Sequence, residues 1–94
     1  MIHILNRVKV RDFEKWKTFF DQGTAFRKDS GSLGGRLFRN GQDRSEIFII
    51  FDWDTLDNAK KFGQSEQLRT MQEQAGVIGR PDMFVLEAIE TLKA

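Results

Sequence analysis

The histidine of the first predicted strand, His3, is the side chain with the clearest acid–base chemistry. It is the only histidine among the 94 residues. An imidazole titrates near neutral pH, so His3 could act as a general base toward a phenol or an enolisable ketone. The simpler interpretation is a surface or interface histidine, because one titratable group without a visible partner is weak support for a site.

Asn6 is the second candidate, because its amide interrupts the apolar side of the same strand. Ile2, Ile4, Val8 and Val10 alternate on that side, and a buried amide must find hydrogen bonds either in the fold or in a ligand. If a ligand supplies them, Asn6 could hold a substrate carbonyl or a dioxygen-derived intermediate in the manner of an oxyanion donor. Asn6 and His3 are therefore the predicted catalytic residues.

Five further residues are candidate ligand contacts: Trp53, Phe62, Met71, Gln72 and Arg36. Each has a simpler interpretation. The aromatic and thioether side chains could be core packing, and the glutamine could be solvated. The arginine could bind an acidic substrate, or it could pair with Asp52 or Glu46 across a hairpin, and the structural ion pair with Asp52 is the preferred interpretation.

Composition excludes several classes of function. The net charge of +1 gives no electrostatic footprint for nucleic-acid binding. The absence of cysteine and the single histidine leave only carboxylates as metal ligands, so no metal site is predicted. No phosphate-binding loop is present, because the glycine-rich stretch 31–35 precedes a strand, and no cofactor is predicted. No signal peptide or apolar span is visible, which predicts a cytoplasmic protein without a membrane partner.

The elements that must position these residues are organised around the apolar run 47–53, which is rich in β-branched and aromatic residues and reads as a strand. Asp12 is a plausible cap for a first helix that ends near Gly31, and Asp54-Thr55 begins a second helix interrupted around Gly63 and Ser65. The two glycines of the second strand predict a bulge or a close backbone approach. The predicted strands are 2–10, 33–39, 47–53 and 83–92, with a hairpin turn at 40–43 and a loop at 76–81.

This βαββαβ order predicts a single α+β domain spanning 1–94. The simplest packing is ferredoxin-like, a four-stranded antiparallel sheet with two helices on one face. The third and fourth strands carry apolar residues on both faces, although the helices can cover only one. A homodimer that packs two sheets face to face into a closed or nearly closed barrel would cover the other. The alternative is a monomer with an apolar, solvated sheet.

The chain also resembles the dimeric α/β-barrel superfamily, specifically small proteins with an antibiotic-biosynthesis-monooxygenase-like domain, some of them labelled cyclases by similarity. The resemblance spans nearly the full length and is carried by six segments: Trp16-Lys17 with Phe20-Asp21, and residues 35–40, 51–54, 59–62, 65–68 and 75–81. It implies a homodimer with a ligand cavity between sheet and helices. Members of the superfamily include cofactor-free oxygenases, haem-degrading oxygenases, polyketide cyclases, lactone isomerases and small stress proteins.

The haem-degrading branch of that superfamily uses a strand asparagine, a helix tryptophan and a helix histidine. Asn6 matches the first, but the other two positions fall near Phe62 and Gln72, and neither can ligate iron as imidazole does. The resemblance therefore implies a small-molecule-binding homodimer, a cofactor-independent monooxygenase or cyclase acting on an aromatic or polyketide-like substrate. The alternative is a non-catalytic ligand carrier or a stress-associated structural module, so the sequence leaves enzymatic activity undecided.

Overall fold

The computed structural model describes residues 2–94 and contains four strands and four helices. The strands lie in one sheet in the order β2-β3-β1-β4, and every neighbouring pair is antiparallel. The predicted α+β, ferredoxin-like βαββαβ arrangement is confirmed. The elements in chain order are β1 (Ile2–Val10), α1 (Phe13–Gln22), α2 (Thr24–Ser30), β2 (Ser32–Arg39), β3 (Glu46–Trp53), α3 (Leu56–Gly63), α4 (Glu66–Gln74) and β4 (Val77–Leu86).

The core lies between the sheet and the helices. Alternate residues of β1 and β3 are buried on this side, and Trp16, Ala59 and Ala75 join them from the helices and the α4–β4 junction. Ile47 is fully buried, with an exposed fraction of 0%. Burying these apolar side chains is the main force that holds the helices on the sheet.

The first helical crossover consists of two helices, whereas the sequence predicts one. Asp12 caps α1 as predicted, because its side chain accepts a hydrogen bond from the Lys15 amide at 3.3 Å. The chain then turns at Gly23, which is buried, and a Cβ there would lie 3.0 Å from atoms of both Arg27 and Met71. Glycine at this position therefore allows α1 and α2 to turn close to α4. Gly31 ends α2 with φ 117°, as its predicted left-handed conformation requires.

The second crossover is interrupted where the sequence predicts. Thr55 caps α3 by accepting a hydrogen bond from the Asn58 amide at 3.1 Å. Ser65 caps α4 in the same way, with the Leu68 amide at 3.2 Å. Because each cap satisfies a backbone N–H that has no intrahelical partner, two short helices replace one continuous helix.

The last strand lies earlier than predicted. Residues 76–81 are not a loop, and 83–92 is not the strand: β4 spans Val77–Leu86, and residues 87–94 have no regular structure. The reason is pairing, because β4 aligns Val77 with Val10 and Leu86 with His3, close to the start of β1. Beyond Leu86 the strand pairs with no further residue among residues 2–94. A register shift around residues 79–81 accommodates Pro81, which cannot donate to the ladder.

The face of the sheet opposite the helices, here the open face, carries seven large apolar side chains: Leu5, Phe38, Phe48, Ile50, Ile78, Phe84 and Leu86. Phe38 and Phe84 are 41% and 46% exposed. Ion pairs join charged residues on this side: Arg7 with Asp82, and Lys9 with Asp43, each at 2.7 Å. No helix within residues 2–94 is long and apolar enough to cross a membrane.

Candidate functional site

A small apolar cavity lies between the sheet and the helices. This central cavity has a volume of about 90 Å³. Three of the predicted ligand contacts, Phe62, Met71 and Gln72, lie together in its wall. They converge because Phe62 ends the inward face of α3, and Met71 and Gln72 lie on the part of α4 that faces the sheet. The lining is completed by Val8, Trp16, Phe19, Phe20, Arg27, Ile49, Phe51, Leu68, Ala75 and Val77.

Trp53 is not part of that lining. Its side chain is 2% exposed and its ring lies 5.2 Å from the ring of Phe62 and 6.4 Å from that of Phe51, between centroids. Aromatic pairs at this spacing contribute to packing beyond the area they bury. In this structure Trp53 therefore supports the cavity wall from behind.

Asn6 lies on the helix side of the sheet, at a wider cleft beside β4. This β4 cleft has a volume of about 590 Å³ and is more polar than the central cavity, since Arg69, Glu73 and Arg80 also line it. Leu68, Gln72 and Val77 belong to both spaces. Gln72 therefore lines both the central cavity and the cleft that Asn6 reaches.

His3 lies on the other side of the sheet. It is three residues from Asn6 on β1, so the alternation of a strand places the two side chains on opposite faces. His3 Nδ1 is 2.6 Å from Asp52 Oδ1, and both side chains are about one-third exposed. The structure therefore does not bring the two predicted catalytic residues to one site within a single chain.

Arg36 does not form either of its predicted cross-strand pairs. Asp52 is paired with His3, and the Glu46 carboxylate accepts a hydrogen bond from the Asn40 amide at 2.9 Å. A register shift between Ser32 and Gly34 places Asp52 opposite Gly34. The Arg36 guanidinium instead lies 5.0 Å from the centroid of the Phe38 ring. The predicted structural ion pair between Arg36 and Asp52 is wrong for this reason.

Sequence reasoning missed Arg27. It lines the central cavity and also a cleft of about 680 Å³ between α2 and β2, here the β2 cleft. Its guanidinium lies 3.9 Å from the Phe20 ring centroid, and Nη1 donates to the Phe20 carbonyl at 2.8 Å. Burial lowers the pKa of Arg27 because it disfavours the charged form, and the charge of Asp21 partly opposes this.

The sequence contains a signal for Arg27. Phe20, Thr24 and Arg27 have the spacing of one helical face, so an arginine follows the apolar stripe of the first helix. The bend at Gly23 preserves this alignment, and Arg27 Nη2 is 3.3 Å from Thr24 Oγ1. An arginine on an apolar helical stripe is the same kind of signal as the amide of Asn6 on an apolar strand face. Within residues 2–94 no group of three or more acidic or histidine side chains is arranged to hold a metal ion.

Comparison with known proteins identifies the fold through structure. No family model matches the sequence, and no curated protein matches it. Solved structures, however, do match the fold of this chain. A candidate antibiotic biosynthesis monooxygenase from Bordetella bronchiseptica is 17% identical with a TM-score of 0.79, covering 95% of this chain and 97% of that chain. One from Caulobacter crescentus CB15 is 19% identical with a TM-score of 0.74, covering 95% of this chain and 90% of that chain.

SnoaB, a cofactor-independent oxygenase from Streptomyces nogalater, is similar over nearly the whole length. It is 16% identical with a TM-score of 0.78, and the alignment covers 99% of this chain and 97% of SnoaB. The chain therefore has the antibiotic-biosynthesis-monooxygenase-like fold, and the resemblance predicted from its sequence is confirmed at that level. Identities this low establish a shared fold and leave the reaction to be argued from the site.

Proposed function

We propose that the chain is a homodimeric, cofactor-independent monooxygenase that binds a small aromatic or polyketide-like molecule between its sheet and its helices. The observation that carries the proposal is the central cavity, which is walled by aromatic rings and shares lining residues with a cleft on either side. The similarity of the fold to SnoaB, described as a cofactor-independent oxygenase, supports the same class of reaction. A cyclase would use the same pocket without consuming oxygen.

The size of the spaces defines how a substrate would fit. At about 90 Å³ the central cavity holds less than a polycyclic aromatic needs, since ligand sites usually measure roughly 300–1,000 Å³. The flanking clefts, at about 680 and 590 Å³, lie within that range. One edge of the substrate would enter the central cavity while the rest occupies a cleft. Met71 can adjust to the fit because its unbranched thioether is conformationally soft.

The reaction we propose is oxidation of an anthrone-type methylene by dioxygen. Loss of a proton from the enolised substrate gives an electron-rich anion, which transfers an electron to dioxygen and then combines with the resulting superoxide. The peroxide loses water, so that the methylene becomes a carbonyl. One oxygen atom enters the product, and the other leaves as water with both methylene hydrogens. No external reductant is required, because the substrate supplies both electrons to the oxygen atom that becomes water.

The described residues would assist these steps by stabilising the negative charge of the enolate or peroxide and by excluding water. The amides of Asn6 and Gln72, which line the β4 cleft, would donate hydrogen bonds to the enolate oxygen or the peroxide. Glu73 lines the β4 cleft and offers a carboxylate to the departing proton. The aromatic walls keep bulk water from the reactive anion.

Oxygen uptake with dithranol, followed by an oxygen electrode without added metal or flavin, tests this proposal. Because removing one oxyanion donor costs about 10²–10³ in rate in a well-studied case, Asn6→Ala and Gln72→Ala should each slow uptake at least about tenfold. Gln74→Ala is the matched control, since Gln74 is an exposed glutamine of the same helix. Wild-type protein that consumes no oxygen with dithranol or with a panel of quinols would contradict the proposal.

A non-catalytic ligand carrier is the second candidate function, and one observation favours it. Phe19, Phe20, Phe62 and Met71 occupy much of the space between the sheet and the helices, which leaves the central cavity small. Tight binding of dithranol under anaerobic conditions, with no oxygen consumption in air, would support the carrier. Native mass spectrometry of the purified protein would show whether it retains a ligand.

The dimer in this proposal forms through the open face. Its apolar residues lie on neighbouring strands, and a contiguous apolar patch on a soluble protein is typical of an interaction site. Sedimentation velocity at micromolar concentration should give a dimer. Phe84→Lys should shift it to a monomer, while Ala25→Lys, on an exposed position of α2, should not. A wild-type monomer would contradict the dimer.

A further inference from the structure

We propose that Arg27 is the anion-binding subsite of the pocket, so that the ligand is a flat aromatic molecule carrying an ionised group such as a carboxylate or phenolate. This inference rests on the proposed pocket and names the chemical class that it accepts. Arg27 lies in the wall shared by the central cavity and the β2 cleft. An anionic group held there would have its aromatic ring against Phe20 and Phe51.

The Arg27 guanidinium is held in place by hydrogen bonds that use only some of its N–H donors. Nη1 donates to the Phe20 carbonyl at 2.8 Å, and Nη2 donates to Thr24 Oγ1 at 3.3 Å. The charged plane lies over the Phe20 ring, an arrangement that stabilises a cation and fixes its orientation. A guanidinium carries five N–H donors. The contacts described use two of them, so three N–H donors remain for a carboxylate or an enolate oxygen.

Arg27 differs from the other lysines and arginines of residues 2–94 that form no ion pair, because it is partly buried and they are exposed. Arg7, Lys9 and Lys17 each form an ion pair, whereas no ion pair within residues 2–94 includes Arg27. Arg27 is only partly exposed, and removing a charge from water is costly unless an opposite charge compensates. A bound anion would supply that compensation.

The surroundings of Arg27 favour an anion from outside the chain. Lys28 and Arg36 also line the β2 cleft, so three cationic side chains border one space. Asp54 is the carboxylate in that lining, and it is engaged elsewhere: it accepts hydrogen bonds from the Thr55 amide at 2.6 Å and from Asn58 Nδ2 at 3.0 Å. Three positive charges and one negative charge leave the lining of the β2 cleft net positive, and a cleft with a net positive lining concentrates anions.

Two fluorescent probes that differ by one charged group test the subsite. They are 8-anilinonaphthalene-1-sulfonate and N-phenyl-1-naphthylamine, which has the same ring system without the sulfonate. Because a charge-assisted contact to arginine is lost, Arg27→Gln should weaken sulfonate binding about tenfold or more. Binding of the neutral probe should change less than about twofold, since its apolar contacts remain.

Arg39→Gln is the matched control. Arg39 also lies over a phenyl ring, 4.6 Å from the Phe13 centroid, but it does not line the β2 cleft or the central cavity. It should leave the affinity for both probes unchanged. If Arg27→Gln does not fold, Arg27→Lys replaces it. Lysine keeps the charge without the planar fork. The affinity for the sulfonate probe should therefore weaken by about threefold, while the affinity for the neutral probe stays unchanged.

Equal weakening of both probes by the Arg27 variant would overturn the subsite, because it would show a packing role. An unchanged sulfonate affinity would overturn it too, since the probe would then bind elsewhere on the protein. The outcome is separable from the oxygenase proposal. Charge-selective binding at Arg27 without oxygen uptake would support the anion-binding subsite and contradict the oxygenase proposal. Oxygen uptake without charge-selective binding would support the oxygenase proposal and contradict the subsite.

Discussion

The imidazole of His3 and the carboxylate of Asp52 form a cross-strand pair on the open face, with 2.6 Å between Nδ1 and Oδ1. The two residues are directly opposite each other in the ladder of β1 and β3. The sheet itself therefore separates His3 from the central cavity and from Asn6. A histidine that looks like a general base in the sequence is, within one chain, part of the outer surface of the sheet.

The His3–Asp52 pair should stabilise the protein, and it should not take part in the reaction in the pocket of the same chain. A double-mutant cycle with His3→Ala and Asp52→Ala, measured by urea denaturation at pH 6, should give a coupling free energy of about 0.5–1 kcal/mol, as for other cross-strand pairs. Oxygen uptake by His3→Ala should stay within about twofold of wild type, because the side chain points away from the reacting atoms. A large loss of activity with normal stability would contradict this.

Gly35 should tolerate no side chain. A Cβ at this position would collide with the carbonyl oxygen of Ile50 on the neighbouring strand, so the backbone of β2 would have to move. Gly35→Ala should lower the free energy of unfolding by about 1–3 kcal/mol, the usual cost of overpacking. Gly41→Ala is the control, because a Cβ there meets nothing within 4 Å. Equal midpoints of urea denaturation for the two variants would disprove the close approach.

Ile47 should be among the most sensitive core positions. Its side chain is fully buried, with an exposed fraction of 0%. Ile47→Ala should lower the free energy of unfolding by about 2–5 kcal/mol, through lost burial and the cavity left behind. Ile89→Ala removes the same atoms from a residue that is 82% exposed, outside any element. It should change stability by less than about 0.5 kcal/mol.

The carboxylate of Asp43 should make the free energy of unfolding depend on pH in the acid range. Hydrogen bonds from the Lys9 ammonium at 2.7 Å and from Ser45 hold the pKa of Asp43 far below its usual range. A lowered folded-state pKa means that the stabilisation is complete above the unfolded pKa of about 3.9. It is lost as the pH falls from there through the folded value.

Asp43→Asn should therefore lower the midpoint of urea denaturation at pH 6, and the difference from wild type should shrink below about pH 4. Glu87→Gln removes the same charge from the segment that follows β4, where no regular element is affected. Its difference from wild type should be small at both pH values. A difference for Asp43→Asn that stays constant from pH 6 to pH 2 would rule out the proposed linkage.

Local patterns predicted the elements whose causes are local. Alternating apolar residues identify β1 and β3, and the caps at Asp12 and Thr55 lie where the side chains predict them. The glycines of β2 predict a bulge or a close backbone approach, and the structure has a register shift near Gly34 and a close approach at Gly35. The end of β4 was predicted wrongly because it depends on where β1 begins, and no local pattern contains that information.

In the candidate site, too, some features follow from local sequence patterns and others depend on the tertiary structure. Phe62, Met71 and Gln72 follow from the inward faces of two consecutive helices, so their grouping was predictable. The position of Arg27 in the wall shared by two spaces, and the pairing of Asp52 with His3 in place of Arg36, required the assembled structure. The sequence by itself determined the order of the elements and the apolar character of the pocket, because periodicity and capping act over a few residues. Tertiary structure decided which charges pair and which remain for a ligand, because pairing depends on strand register and helix packing between distant residues.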